Sequence, residues 1–163
     1  MYTDRRSAPE AKFVEAIALV QPDDSGLRVH IADPIPQWLR LCREFPEVAE
    51  KTAYFLDATG WINFFLTGQA TVNAFTGLRL YTSETQRLLG LKNPPFGKIT
   101  PLGQAIGTLR PSIAQALGVD SAQVISATFD SKCAYLGSGL STPGQATEIS
   151  GTVSSLGVLS HKH

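Results

Sequence analysis

The sequence predicts an α/β chain, and three observations predict it. Segments with apolar residues at helical spacing alternate with short runs rich in β-branched residues. Proline and glycine mark the junctions between them. The chain has 163 residues, 43% of them hydrophobic, enough to enclose a core. Such alternation favours a layered arrangement, α/β or α+β.

Each element follows in order. SAPEAKFVEAIALV, residues 7–20, predicts a helix: Ser7 is a candidate N-cap, Pro9 falls near the first turn, and Phe13, Ile17 and Val20 recur at helical spacing. QPDDSG, residues 21–26, breaks the pattern. Residues 35–56 predict two short helices, with Pro46 restarting the second. GWINFFLTG, residues 60–68, is apolar on nearly every side and predicts a buried segment closed by Gly68. TVNAFTGLRL precedes SETQRLLGL, a helix that Ser83 can cap and Gly90 can end.

Residues 92–107, KNPPFGKITPLGQAIG, read as a turn-rich connector. RPSIAQALGV is a compact helix opened by Pro111 and closed by Gly118. QVISATF predicts a buried strand, because its β-branched residues favour strand over helix. SKCAYLGSG is the next helix, TPGQ a turn, ATEIS a short strand, and GTVSSLGVLS a tight turn into another strand. No internal repeat or low-complexity segment interrupts this series.

Composition excludes several function classes. Fourteen basic and fourteen acidic residues give a formal net charge of zero, which argues against nucleic acid as the main partner. No apolar run approaches the roughly 20 residues that cross a bilayer, which argues against a membrane role. MYTDRRSAPEAK is charged and lacks the apolar stretch of a secretory signal. Cys42 and Cys133 lie far apart without metal-type spacing, and both are expected reduced and buried. Together these features favour the cytoplasm.

The chemistry concentrates near the end. In VISATFDSKCAYLGSG an apolar strand runs into Asp130, and small residues follow, among them Ser131 and Ala134. A carboxylate there stands at the strand's C-terminal edge, where open α/β sheets place ligand crevices. It can equally cap the following helix, and the two roles are compatible. In ISGTVSS, Gly151 allows a positive φ and close approach, Thr152 adds a hydroxyl, and Val153 and Ser154 add N–H groups. Such a bend can cradle an anion, and it can also be a plain hairpin turn.

Asp4, Arg5 and Arg6 read as a solvated charge cluster. His161 and His163 have no acidic or cysteine partner nearby in sequence, so no metal site is assigned to them; His30 reads as structural. Trp38, Trp61, Phe64 and Phe65 read as core rather than a sugar-stacking platform.

The order of these pieces resembles the FGGY family of carbohydrate kinases, the group of xylulokinase, gluconokinase and glycerol kinase. YTDRRSAPEA resembles the family's W-x-D-x-R segment with Tyr2 in place of tryptophan, and it is closest to xylulokinase-type members, a mild preference for a pentulose. FPEVAEKTAYFLDATGWINFFLTGQ resembles the stretch that ends in Leu-Thr-Gly, here Leu66, Thr67 and Gly68. VNAFTGLRLY and AIGTLRPSIAQALGV are similar to the segments that come next. VISATFDSKCAYLGSG resembles the strand, aspartate and small-residue helix carrying the catalytic base, and GTVSS resembles the Gly-Thr-Ser phosphate turn.

The resemblance implies part of an actin-like, ribonuclease-H-like ATPase fold, with residues 1–139 as the rear of the first kinase domain and 140–163 as the beginning of the second. It implies a small-molecule sugar or polyol and ATP as partners, with Mg²⁺ as cofactor. Asp130 would be the general base, Gly151 and Thr152 the phosphate-binding turn, and Asp4 and Ser131 contacts to the substrate.

The chain departs from the pattern at several points. Ala127, Thr128 and Phe129 stand where glycine often precedes the aspartate, Gly60 where many members have an acid, and Val153 where serine follows the threonine. The family's first strand, which holds Mg²⁺, would lie before Met1, and most of the adenosine-binding domain after His163. The isolated chain is therefore expected to be incomplete and inactive, with a missing-domain partner or a homo-oligomer as possible company. The alternative is a non-catalytic remnant, split subunit or sugar-binding module that lacks ATP-binding elements.

Overall fold

The structure is a computed structural model that describes residues 4–17, 29, 31, 33–73, 83–91, 95–128, 130–151 and 154–161. Residues 21–26, most of TVNAFTGLRL, Tyr2, Val20, His30, Thr152 and His163 lie outside them, as does the side chain of Ser83. The chain divides into two compact units, Met1–Ser126 and Ala127–His163.

In the first unit, α1 spans Ala8–Ile17. Its inward face runs through Ser7, Glu10, Ala11 and Val14, with Ile17 packed at its end. Phe13 stands one residue off that face, about 100° around the helix, and is exposed rather than core. A carboxylate occupies a core position because Arg43 pairs with it: Arg43 Nη1 contacts Glu10 Oε1. The Ser7 hydroxyl is buried without a hydrogen-bond partner, so it does not cap the helix.

Next come α2, Pro34–Glu44, and α3, Pro46–Lys51, hinged at Phe45 with Pro46 restarting the helix as expected. Val14, Ile35 and Leu89 form the core with Ile17, Val29, Leu39, Leu91 and Phe96 around it. Trp38 is buried and meets Phe55 at 5.4 Å between ring centroids and Phe96 at 6.4 Å.

Helix α4, Ala58–Thr67, begins at Asp57, whose carboxylate accepts the Gly60 N–H at 2.6 Å. It ends at Gly68, which takes a φ of 82°. The segment is helical and closed by Gly68 but not buried: Trp61, Ile62 and Phe65 are about half exposed or more. The surface against α4 is strand backbone, and only small or polar residues fit it. A Cβ on Gly60 would lie 2.5 Å from the Thr71 carbonyl oxygen. Asn63 Nδ2 donates to Thr71 Oγ1 at 3.1 Å, and Thr67 faces Gly107.

The strands behind α4 are short. β1, Thr71–Asn73, pairs in parallel with β2, Lys98–Thr100, in the register Thr71↔Lys98. Between β1 and β2 lies α5, Ser83–Leu88, followed by Gly90 with a φ of 68°. β3, Ala105–Thr108, pairs antiparallel with β4, Gln123–Ile125, across a register shift between Ala105 and Gly107. The turn-rich connector thus carries β2 and most of β3. Proline and glycine stand beside these strands rather than replacing them: Pro95 accepts the Phe55 N–H at 2.7 Å, and Gly97 lets the backbone pass Thr71. Helix α6, Pro111–Leu117, lies between β3 and β4 and ends at left-handed Gly118, as expected. β4 is shorter than expected and not buried, with Ile125 exposed at the edge of a two-stranded sheet.

The second unit is one helix and one hairpin. Helix α7 spans Asp130–Gly137, and β5, Ala146–Ser150, pairs antiparallel with β6, Ser154–Val158. In the turn before β5, Gln145 Oε1 accepts the N–H groups of Ser141 and Thr142, both at 2.9 Å, and Gly144 takes a φ of 91°.

Both cysteines are free, but neither is fully buried: Cys42 is partly buried and Cys133 exposed. Trp38 is core as expected and Phe64 is partly buried, whereas Trp61 and Phe65 lie outside, stacked on each other at 5.6 Å. Among the described residues no helix is long and apolar enough to cross a membrane.

Candidate functional site

Asp130 is the first residue of α7, and β4 has already ended at Ile125. The acid therefore opens a helix instead of standing on a strand tip. Ser126, buried, is still tied to the chain before β3: its N–H donates to the Gln104 carbonyl at 2.8 Å and its hydroxyl to the Thr100 carbonyl at 3.3 Å. The Asp130 side chain is exposed, and its Oδ1 accepts the N–H of Ser131 at 2.7 Å. That bond satisfies a first-turn donor, and a negative charge at this end suits the helix dipole. Ser131 is partly buried behind it. Cys133 Sγ reaches the Thr128 carbonyl at 3.7 Å and fastens the helix start to the approaching chain.

Gly151 is an exposed bend directly after β5, and the hairpin resumes at Ser154, opposite Ser150. Asp130 and Gly151 thus belong to one unit. The end of α7 and the open end of the hairpin border a cavity of about 290 Å³, lined by Ser138, Gly139, Leu140, Gln145, Ala146 and Thr147. One turn back, the Tyr135 ring lies against Gly157, and its Oη contacts Ser155 Oγ. Through the Tyr135 hydroxyl the helix thus reaches Ser155, two positions nearer the Gly151 bend than Gly157. The cavity itself is bordered by neither Asp130 nor Gly151.

Asp4 belongs to the first unit, and its carboxylate is engaged by Arg6 three times. It accepts the Arg6 backbone N–H at 3.0 Å, Nε at 2.9 Å and Nη2 at 2.7 Å. The Arg6 side-chain hydrogen bond holds the Asp4 carboxyl well below the usual carboxylate range, and Arg6 is raised in turn. Further along the same surface, Arg40 pairs with Glu44 at 2.7 Å, and Arg43 bridges Glu10 and Glu44. Hydrogen bonding from Arg40 lowers the Glu44 carboxyl, and burial raises the Cys42 thiol.

Among the described residues no three His, Cys, Asp or Glu side chains gather as a metal site. Two contacts escaped the sequence reading: the Glu10 pair with Arg43, and the approach of Tyr135 to Gly157. A glycine in the middle of a strand was the available signal for the second.

No family model matches the chain. Over 152 residues it is 30% identical to a rhamnulokinase from Oceanobacillus iheyensis, covering 85% of this chain and 31% of that protein. It is 32% identical over 111 residues to an L-fuculokinase from Haemophilus influenzae, covering 63% of this chain and 23% of the relative. Among solved structures, a xyloylose kinase from Brucella ovis superposes with a TM-score of 0.81 at 21% identity, over 96% of this chain and 34% of that one. That likeness establishes the fold: an α/β chain forming part of an actin-like ATPase architecture. The chain spans about a third of the length of the first curated relative it matches.

Proposed function

We propose, from the premise that this chain belongs to the FGGY family of carbohydrate kinases, that it supplies the acid and the phosphate turn for transfer of the ATP γ-phosphoryl group to a sugar or polyol hydroxyl. The carrying observation is the exposed carboxylate of Asp130 at the start of α7, in the same unit as the Gly151 bend. An exposed acid at a helix start is open to a substrate hydroxyl. Asp130 accepts the hydroxyl proton as the oxygen attacks phosphorus in line, a contribution on the order of 10²–10⁴-fold. Backbone N–H groups of the turn at Gly151 and Thr152 hold the phosphate oxygens while charge moves between them. Ser131, the residue after Asp130, contacts the sugar, while Asp4 belongs to the other unit and its carboxylate is taken by Arg6. ATP brings the transferable phosphoryl group. Mg²⁺, which the family implies, would accompany the ATP phosphates and neutralise charge there.

Rhamnulokinase, L-fuculokinase and xyloylose kinase are named for different sugars, so sugar is the level at which the substrate is assigned. The site acts in the cytoplasm.

Much of the rate of such a reaction comes from positioning two substrates in a closing cleft. A chain about a third as long as its relative builds little of that cleft. Little or no turnover is expected from this polypeptide alone in a coupled ADP assay with ketoses, polyols and aldonates. Robust turnover would overturn its incompleteness. Binding tests the site directly. In amide NMR spectra, Mg-ATP should shift Gly151 and Thr152, and an accepted sugar should shift Asp130 and Ser131. No shift at millimolar ligand would sink the assignment.

A second reading, a non-catalytic fragment whose partner is another polypeptide, is favoured by the outward aromatic face of α4. It predicts association between chains without nucleotide binding.

A further inference from the structure

We propose that Tyr135 is a positioning residue, a strut that sets the spacing between the helix carrying Asp130 and the hairpin carrying the Gly151 bend. The inference rests on the phosphoryl-transfer reading for its purpose, while its geometry stands independently.

Tyr135 projects from the last turn of α7 onto β6. Its ring lies so close to Gly157 that a Cβ there would come within 2.7 Å of Cε1, 2.9 Å of Cδ1 and 3.0 Å of Cζ. Real Cβ atoms do not approach that closely, so the aromatic ring and the glycine fit as a pair. Glycine in mid-strand weakens a strand, and close approach of another group is a physical reason to keep it there. The tyrosine hydroxyl then meets Ser155 Oγ, two residues nearer the bend. Ser155 stands opposite Ile149, and Gly157 opposite Thr147. The ring and its hydroxyl therefore reach from the Thr147–Gly157 pair past Glu148–Leu156 to the Ile149–Ser155 pair, on the way towards Gly151.

The helix side is anchored as well. Lys132 Nζ lies 5.8 Å from the ring centroid, and Ser138 Oγ donates to the Tyr135 carbonyl at 2.7 Å. The ring is thus met by Lys132 from its own helix and received by the strand, while the Ser138 bond fastens only the backbone of Tyr135. A phenylalanine would keep the packing and lose the hydroxyl contact. An alanine would lose both.

A double-mutant cycle on the whole chain tests the strut. In Tyr135→Phe and in Ser155→Ala, amide hydrogen exchange across residues 154–158 should rise roughly twofold to tenfold, the usual worth of one hydrogen bond. The double variant should add little more. Tyr135→Phe should also move the amide resonances of both Asp130 and Gly151. Additive effects of the two substitutions, or resonances of Asp130 and Gly151 that stay in place, would overturn the proposal. Gly157→Ala should displace the ring and produce the same pattern more strongly; if it does not fold, the phenylalanine variant still decides. Titration of the unmodified chain with Mg-ATP separates the two ideas. A strut with no response at Gly151 would remove the phosphate turn and leave the positioning role in place.

Discussion

Helices α2 and α4 have similar lengths and each carries one tryptophan, yet they bury opposite kinds of face. In α2 the apolar residues Ile35 and Trp38 face the core, and the arginines Arg40 and Arg43 lie towards the ion pairs with Glu10 and Glu44. In α4 the small and polar residues face inward, and Trp61, Ile62 and Phe65 face out. Hydropathy reports how much apolar surface a segment has. Which side is covered depends on what it packs against. A neighbouring side-chain layer accepts a large residue, whereas strand backbone at contact distance accepts only glycine, asparagine or threonine.

Substitutions can break or sharpen this contrast. The largest expected effect is Trp38→Ala, which empties a core site flanked by Phe55 and Phe96 and should cost about 3–5 kcal/mol in urea unfolding. Gly60→Ala comes next. It drives a methyl group onto the Thr71 carbonyl and should cost roughly 1–3 kcal/mol. Gly137→Ala is its control, because nothing lies within 4 Å of the added carbon and the site is helical. That change should stabilise by about 0.5–1 kcal/mol.

Trp61→Ala should alter stability by less than about 1 kcal/mol and reduce self-association in light scattering. A loss as large as that of Trp38→Ala would mean that the α4 face is covered within the chain, which would end the contrast.

The smallest expected effect concerns pH. Asp4 and Glu44 both have lowered carboxyl pKa values in the folded chain, through Arg6 and Arg40 respectively. Their contribution is present above the unfolded carboxylate range and is lost as pH falls through the folded values. Both groups are solvent-screened, so the acid limb of the unfolding profile should steepen only slightly. Asp4→Asn should flatten it below pH 4. Cys42 has the opposite sign: its raised thiol pKa means that any contribution is lost as pH rises past the ordinary thiol range.

Much of the helical order was legible. Pro46, Pro111, Gly68, Gly90 and Gly118 mark boundaries through local backbone constraints that tertiary contacts do not change. The β5–β6 hairpin was legible for the same reason, since TPGQ and the residues after ATEIS punctuate it. Strands β2 and β3 were hidden because three- and four-residue strands carry too little periodicity to outweigh Pro95, Pro101 and Gly103 beside them. The inward face of α1 was hidden because Glu10 is buried through Arg43, a partner 33 positions away. Asp130 could be picked out as an acid between an apolar run and a helix. That the strand stops at Ile125, short of the acid, follows from its pairing with β3, which no local pattern contains.

The unequal exposure of the two thiols has a practical consequence. Cys133 is open to solvent one turn into α7, while burial keeps the Cys42 thiol protonated to higher pH. A maleimide dye at neutral pH should attach first to Cys133. That would put an optical reporter beside Asp130 in the natural sequence, able to register any ligand arriving there.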